Sequence, residues 1–348
     1  MMEPLYIHGV RVAESLQQTL GGYEKVLLWM SGVGDPRSSF FIYFPVTFFL
    51  SRKIGISVLW ITILAEWLNL TCKWLLFGER PFWWIHESGV YSEQQMPELK
   101  QFYSSCETGP GSPSGHAMIT GAAWWVMMTK LSTFIYNRTR SSLAKTIPAV
   151  LYTVMLLAIG ISRIFILAHF PHQVLAGIIT GAVLGFLLGR YEPENIKLIH
   201  YVTTSIGLLL SAVCLYWGLN YIGVNVSWTI LLATKWCAKP EWIRLDTAPF
   251  SSLSRDTGAL LGLGLGLASP MYASTQRWKM TGKLKILCIV LSVLIIEIMD
   301  KIPLSKHSSV LFYVLFYLKN AFVPVLVIAI IPWTVHSIFV IQQSQKQQ

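Results

Sequence analysis

Ser162-Arg-Ile-Phe-Ile-Leu-Ala-His-Phe-Pro-His-Gln-Val-Leu-Ala-Gly177 joins two apolar runs, near residues 147–166 and 170–189, and sets one arginine and two histidines where the runs meet. A helix of about 20 apolar residues crosses a bilayer, so the stretch reads as the tight end of a transmembrane helical hairpin. Arg163 closes the first helix and His169 begins the second. Pro171 falls in the first turn, where its fixed φ and missing N–H suit a helix start. Ionisable groups at such depth are costly and normally face a bundle interior or a water-filled cavity. The hairpin end is therefore a candidate site.

Seven further apolar runs flank this hairpin, near 24–50, 55–77, 115–136, 200–219, 252–272, 284–300 and 311–340, which brings the expected spans to nine. The last is over-long, and Pro324 is placed to kink it. Charged residues make up 13% of the chain and hydrophobic ones 53%, with a mean hydropathy of +0.53; soluble domains average about 25% charged. The fold class is thus an all-α polytopic transmembrane bundle. A length of 348 residues would allow two soluble domains, but the runs follow one another with short gaps, and a single integral membrane domain over 1–348 is the simpler expectation. Residues 1–23 carry Glu3, Arg11 and Glu14 and show no secretory signal, so the first span is expected to serve as an uncleaved anchor.

The net charge of +10 does not point to nucleic acid, because the basic residues fall in alternate loops. Arg52 and Lys53 follow span one, Lys130, Arg138, Arg140 and Lys145 span three, Arg190 and Lys197 span five, and Arg277, Lys279, Lys283 and Lys285 span seven. By the positive-inside rule these loops are cytosolic. With nine spans, the N-terminus lies outside the cytosol and the C-terminus inside. The loops after spans two and four, which carry the motif residues, share the non-cytosolic side. Cys106 and Cys237 are on that side too, where a bridge is permitted, although nothing in the spacing of the five cysteines demands one. Of the sequons at Asn69, Asn137 and Asn225, only Asn225 is placed to carry a glycan.

Two other segments complete the hairpin's chemistry. Lys73 and Arg80 stand seven residues apart, two helical turns, and share a face if the second span continues to Pro81. A lysine supplies a point charge and an arginine a planar fork for two phosphate oxygens; alone, the pair reads equally as snorkelling cations at a span end. Pro113-Ser114-Gly115-His116 opens the third span behind the turn-forming Thr108-Gly-Pro-Gly-Ser-Pro. A helix N-terminus offers free N–H groups to an anion, so the amides near Ser114 and Gly115 are candidate phosphate donors, while capping alone would also explain the serine. Glu66, Asn69 and Lys73 form a polar stripe on an apolar span, expected either to line the pocket or to link helices with Glu66 and Lys73 in one network. Gly258, Gly262 and Gly266 recur every four residues inside a span and read as a helix-packing face.

Lys, six residues, Arg-Pro, then Pro-Ser-Gly-His, then Ser-Arg, five residues, His: this order resembles the type-2 phosphatidic acid phosphatase superfamily. Trp67-Leu68-Asn69-Leu70, Cys106-Glu-Thr-Gly-Pro-Gly-Ser-Pro-Ser-Gly-His116 and the opening stretch look like the glucose-6-phosphatase catalytic subunits, nearest the widely expressed isoform, over almost the whole chain. The resemblance implies a catalytic core at about 55–190, with accessory spans at about 200–340. It also implies hydrolysis of glucose 6-phosphate, or a related sugar 6-phosphate, through a phosphohistidine in the endoplasmic reticulum lumen. His169 would be the nucleophile and His116 the acid and base, with Lys73, Arg80, Ser114, Gly115 and Arg163 binding phosphate. Neither metal nor cofactor is expected, and coupling to a glucose-6-phosphate transporter is. Where the wider superfamily commonly has an Asp orienting the nucleophile, this chain has Gln173. Gln173 and Asp35, which lies beside Pro36 in the first span, are the candidates to orient His169, with His172 a further residue within reach. The competing readings are a lipid phosphate phosphatase of the same superfamily and a phosphate-binding transporter.

Overall fold

The computed structural model describes residues 3–346 apart from 93, 95, 192, 245–248 and 305–307. The described residues are helical, with no strand beyond an isolated bridge between Glu107 and Arg244. The N-terminal residues form a helix, α1 (Glu3–Leu20), because Gly9, Val10 and Ala13 make one buried stripe on an otherwise polar segment. Its Gly9 lies so close to the Phe170 ring that a Cβ there would stand 2.6 Å from it. The first expected span is broken: α2 (Glu24–Val33) gives way to the short α3 (Pro36–Ser38), a π-helical turn over 39–43, and α4 (Phe44–Leu50). Pro36 cannot continue the hydrogen-bond ladder, and Asp35 restarts it as N-cap, accepting the Arg37 N–H at 2.9 Å.

The site-bearing helices follow as α5 (Arg52–Leu76), α6 (Pro81–Glu87), α7 (Gly115–Thr139), α8 (Ser142–Phe165) and α9 (Pro171–Leu188). Then come α10 (Leu198–Tyr221), α11 (Trp228–Trp236), α12 (Pro249–Ala268), α13 (Pro270–Thr275), α14 (Gly282–Asp300), α15 (Ser309–Val325) and α16 (Ile331–Lys346). Among the described residues, five helical segments are long and apolar enough to cross a membrane: Arg52–Glu87, Ser142–Phe165, Pro171–Leu188, Leu198–Tyr221 and Val310–Phe339. The other four expected spans are helical too. The first is interrupted at Asp35, and the rest carry polar residues such as His116 on α7, Arg255 and Asp256 on α12, and Glu297 on α14. Length and composition therefore do not establish a count of nine. The over-long last run is bent through a π-helical turn at 326–330, two residues past Pro324, a usual way for a helix to absorb such a break.

The bundle is apolar on its surface as well as in its core, in the manner of a membrane protein, with Leu157, Leu175, Ile179, Val183 and Leu210 exposed on the outer faces of α8, α9 and α10. The glycine face on α12 packs as expected. A Cβ at Gly258 or Gly262 would overlap the Tyr317 or Ala321 carbonyl of α15. At one end of the bundle, the segment from α6 to α7 folds over the ends of α5, α8 and α9. It is tied to the chain after α11 by a Cys106–Cys237 disulfide and by Arg244 N–H donating to the Cys106 carbonyl at 3.1 Å.

Candidate active site

Two glycines bring the motif segments together. The sequence suggested that Lys73 and Arg80 share one helix face, but α5 ends at Leu76 with Phe77 left-handed at φ 50°, and Arg80 stands in extended backbone at the start of α6. The chain between them runs against the loop before α7. Gly111 N–H donates to the Gly78 carbonyl at 2.6 Å. A Cβ at Gly78 would overlap Ser112, and one at Gly111 would overlap the Glu79 carbonyl. This approach delivers the Arg80 guanidinium into the loop. It donates to the carbonyls of Gly109 at 2.7 Å, Ala168 at 2.9 Å and Pro110 at 3.2 Å, and so pins the loop to the α8–α9 turn.

Arg80 also pairs with Glu107 at 2.9 Å, and the other Glu107 oxygen bonds the Arg163 guanidinium. Arg163 donates a second bond to Ser31 Oγ at 2.8 Å. All three charged side chains are buried. Burial works against the Glu107 charge, but Arg163 and Arg80 outweigh it and hold the carboxyl well below its usual range. His116 Nδ1 lies 3.8 Å from the same carboxylate. Sequence reasoning passed over Glu107. A signal was present: the motifs assemble Lys73, Arg80 and Arg163 without a counter-charge, and Glu107 is the one acid in the Cys106–His116 stretch. Buried cations need a partner.

His169 is fully buried, and its Nδ1 lies 2.7 Å from the Gly111 carbonyl. In that bond Nδ1 carries the proton, which leaves the Nε2 lone pair free. Burial depresses the imidazole well below the ordinary histidine range, and the Arg80 and Arg163 charges depress it further. The ring is therefore neutral at physiological pH. Neither residue expected to orient it does so. The Gln173 side chain accepts from Phe170 N–H at 3.0 Å and donates to the Glu79 carbonyl at 2.7 Å. Asp35 caps α3 and pairs with Arg37 and Arg244, each at 3.3 Å. The backbone carbonyl of Gly111 takes the place of a carboxylate.

Ser114 differs from expectation in a second way. Its N–H is spent on the Gln173 carbonyl at 3.0 Å, while its hydroxyl oxygen is buried without a partner among the described residues. The same holds for His169 Nε2 and Arg163 Nε. Buried polar groups are nearly always satisfied, so these unpartnered atoms on the motif residues are available to bind a polar ligand. Gly115 begins α7 beside Asn69, whose amide donates to the Pro113 carbonyl at 3.2 Å. An open pocket is lined by His116, Gly115, Glu107, Lys73, Asp35 and Glu66. Glu66 pairs with Arg255 of α12 rather than with Lys73. Arg255 and Arg244 were missed because nothing in the sequence brings residues after α11 to this end of the core. His172 packs against Tyr6 and Phe170, with ring centroids 5.5 and 5.8 Å away, and serves the contact with α1 rather than the pocket.

Residues 54–197 match the family model described as the PAP2 superfamily, the segment that contains this cluster. Over nearly its whole length the chain is similar to human glucose-6-phosphatase 3, with 51% identity over 335 residues covering 96% of each chain. The bovine glucose-6-phosphatase 3 is 50% identical with the same coverage. The chain belongs to the glucose-6-phosphatase family. Human glucose-6-phosphatase 2 is a more distant relative, 37% identical over 361 residues and 99% of each chain. No solved structure matches significantly.

Proposed function

We propose that this glucose-6-phosphatase family member hydrolyses glucose 6-phosphate, or a closely related sugar 6-phosphate, to the free sugar and inorganic phosphate through a phosphohistidine on His169. The observation that carries the reading is that the motif residues beside the buried Arg80–Glu107–Arg163 cluster keep unpartnered buried atoms, His169 Nε2, Ser114 Oγ and Arg163 Nε. A phosphoryl group satisfies all three. Its oxygens accept from Ser114 and Arg163, and its phosphorus faces the His169 lone pair.

In the first step His169 Nε2 attacks phosphorus as the ester P–O bond breaks, and His116, on the pocket wall, protonates the departing sugar oxygen. In the second, His116 takes a proton from water, the resulting hydroxide attacks phosphorus and the P–N bond breaks. Phosphate leaves and His169 returns neutral. Arg163, Arg80 and Lys73, with the Gly115 amide, neutralise charge on the equatorial oxygens as it develops. Glu107 holds the two guanidinium groups in register. The Gly111 carbonyl stabilises the cationic phosphohistidine through Nδ1–H.

The names of the similar proteins support glucose 6-phosphate as substrate. Clusters of cations in the loops after the first, third, fifth and seventh expected spans support a site on the non-cytosolic side, and a Cys106–Cys237 bridge in the loop over the site suits an oxidising lumen. We place it in the endoplasmic reticulum membrane, as one domain with its core at about 55–190, fed by a sugar-phosphate transporter. A substrate panel on detergent-purified protein tests the reading. Hexose 6-phosphates should be turned over much faster than phosphatidate or lysophosphatidate, and the reverse order would make the chain a lipid phosphatase.

A further inference from the structure

Among the other buried polar atoms without a partner, two belong to α5 residues that line the pocket, Trp74 next to Lys73 and Glu66 two turns earlier. Glu66 Oε1 is an acceptor and Trp74 Nε1 a donor, neither with a hydrogen-bond partner among the described residues. Glu66 is 5% exposed and Trp74 fully buried. The second Glu66 oxygen is bonded by Arg255, whose Nε is 3.1 Å from Asp256. Glu66 is thus fixed from α12 by Arg255 and by the neighbouring Asp256 carboxyl, with no donor paired to its Oε1. An unsatisfied carboxylate oxygen inside a membrane bundle is expensive unless something polar arrives to use it.

The spacing says how far from the phosphate that something must reach. Lys73 and Glu66 are separated by two turns of α5, about 10 Å of rise, comparable with the reach of a hexose 6-phosphate from phosphorus to the far hydroxyls of its ring. Inorganic phosphate is too short to span it. An acyl chain spans it but offers no O–H to an acceptor and no oxygen to an indole N–H. A sugar offers both.

We propose that Glu66 is a sugar-recognition residue: its free oxygen accepts a hydrogen bond from a ring hydroxyl remote from the phosphate, Arg255 holds the carboxylate in place, and Trp74 Nε1 donates to an oxygen of the same substrate. This rests on the sugar-phosphatase reading and adds which wall of the pocket reads the sugar.

The test is a series of hexose 6-phosphates, each lacking one hydroxyl at C1, C2, C3 or C4, assayed on the purified native enzyme and on Glu66→Gln, with an aryl phosphate and inorganic vanadate as probes of the phosphate end. In the native enzyme one deletion should lower kcat/KM at least tenfold, because a site built around a hydroxyl strongly rejects its absence. In Glu66→Gln the penalty for that same deletion should collapse towards unity. The ratio of glucose 6-phosphate to aryl phosphate kcat/KM should also fall at least tenfold, with KM moving more than the vanadate inhibition constant. Arg255→Lys, which keeps the positive charge, should give the same pattern more weakly. A native enzyme indifferent to every deletion overturns the proposal even if no variant folds, as does a Glu66→Gln enzyme that discriminates as the native one does. If the native enzyme hydrolyses lipid phosphates but no hexose 6-phosphate, the sugar-phosphatase reading itself has failed.

Discussion

His169, the proposed nucleophile, is held without a carboxylate. Its Nδ1 is held by the Gly111 carbonyl, and Gly111 is tolerated only because it has no side chain to collide with Glu79. Gly111→Ala should therefore cost about tenfold or more in kcat, since misplacing a reacting group by an ångström can cost 10²-fold, while vanadate affinity changes less. Kinetics indistinguishable from native would show that the carbonyl is not needed. His116→Ala should lose about 10²–10⁴-fold on a sugar phosphate and much less on an aryl phosphate, whose leaving group needs little protonation. Equal losses on both would leave His116 only phosphate binding or the water step. The pH profile follows from the direction of the His169 shift. A depressed pKa keeps the ring neutral, hence nucleophilic, as pH falls past the ordinary histidine value of about 6.5. After allowance for ionisation of the substrate phosphate, the acid limb of kcat/KM should lie below that value, and a limb at or above it would mean that the ring is not buried as described. The motif histidines, arginines and Lys73 were legible because their chemistry lies in residue type and order. Glu107 was legible only as the counter-charge the cations required, and the Gly111 carbonyl and the Ser114 hydroxyl were not legible, because their roles depend on which backbone groups are already spent.

Helix boundaries follow the same division. Apolar runs located α5, α8, α9 and α10 to within a few residues, and the four-residue glycine repeat marked a packing face on α12, whose partner, α15, only the fold reveals. Gly262→Ala should consequently lower the thermal midpoint of the detergent-solubilised protein by several degrees through overpacking against the Ala321 carbonyl, whose cost is about 1–3 kcal/mol. Gly218→Ala on α10, where a Cβ meets nothing within 4 Å, should leave the midpoint unchanged or raise it slightly. Equal responses at the two positions would show that α12 and α15 are not in backbone contact. The break at Asp35 was half legible. Pro36 marked an interruption, but the pairing of Asp35 with Arg244 connects residues more than 200 positions apart. α1 escaped because a short buried stripe on a polar segment resembles a soluble lead-in until Phe170 is seen beneath it.

At the scale of the whole molecule, the proposed topology puts the chemistry in one compartment: the loops after the second and fourth expected spans carry the proposed catalytic residues, and the positive-inside rule assigns the cation-rich loops to the opposite side. Sealed microsomes should accordingly hydrolyse an impermeant sugar phosphate slowly until they are permeabilised or given a transporter. Full activity in intact vesicles without one would invert the topology. The order of the apolar runs made the bundle legible, but not its closure: the disulfide and the arrival of Arg244 and Arg255 at the pocket are set by long-range packing of the accessory helices onto the core. The most direct test of the central claim is rapid quench of the purified enzyme during turnover of 32P-labelled glucose 6-phosphate. The account predicts a protein-bound label that is acid-labile and alkali-stable, maps to His169, and vanishes together with turnover in His169→Ala. Label retained in that variant, or turnover by an enzyme that never becomes labelled, would contradict it.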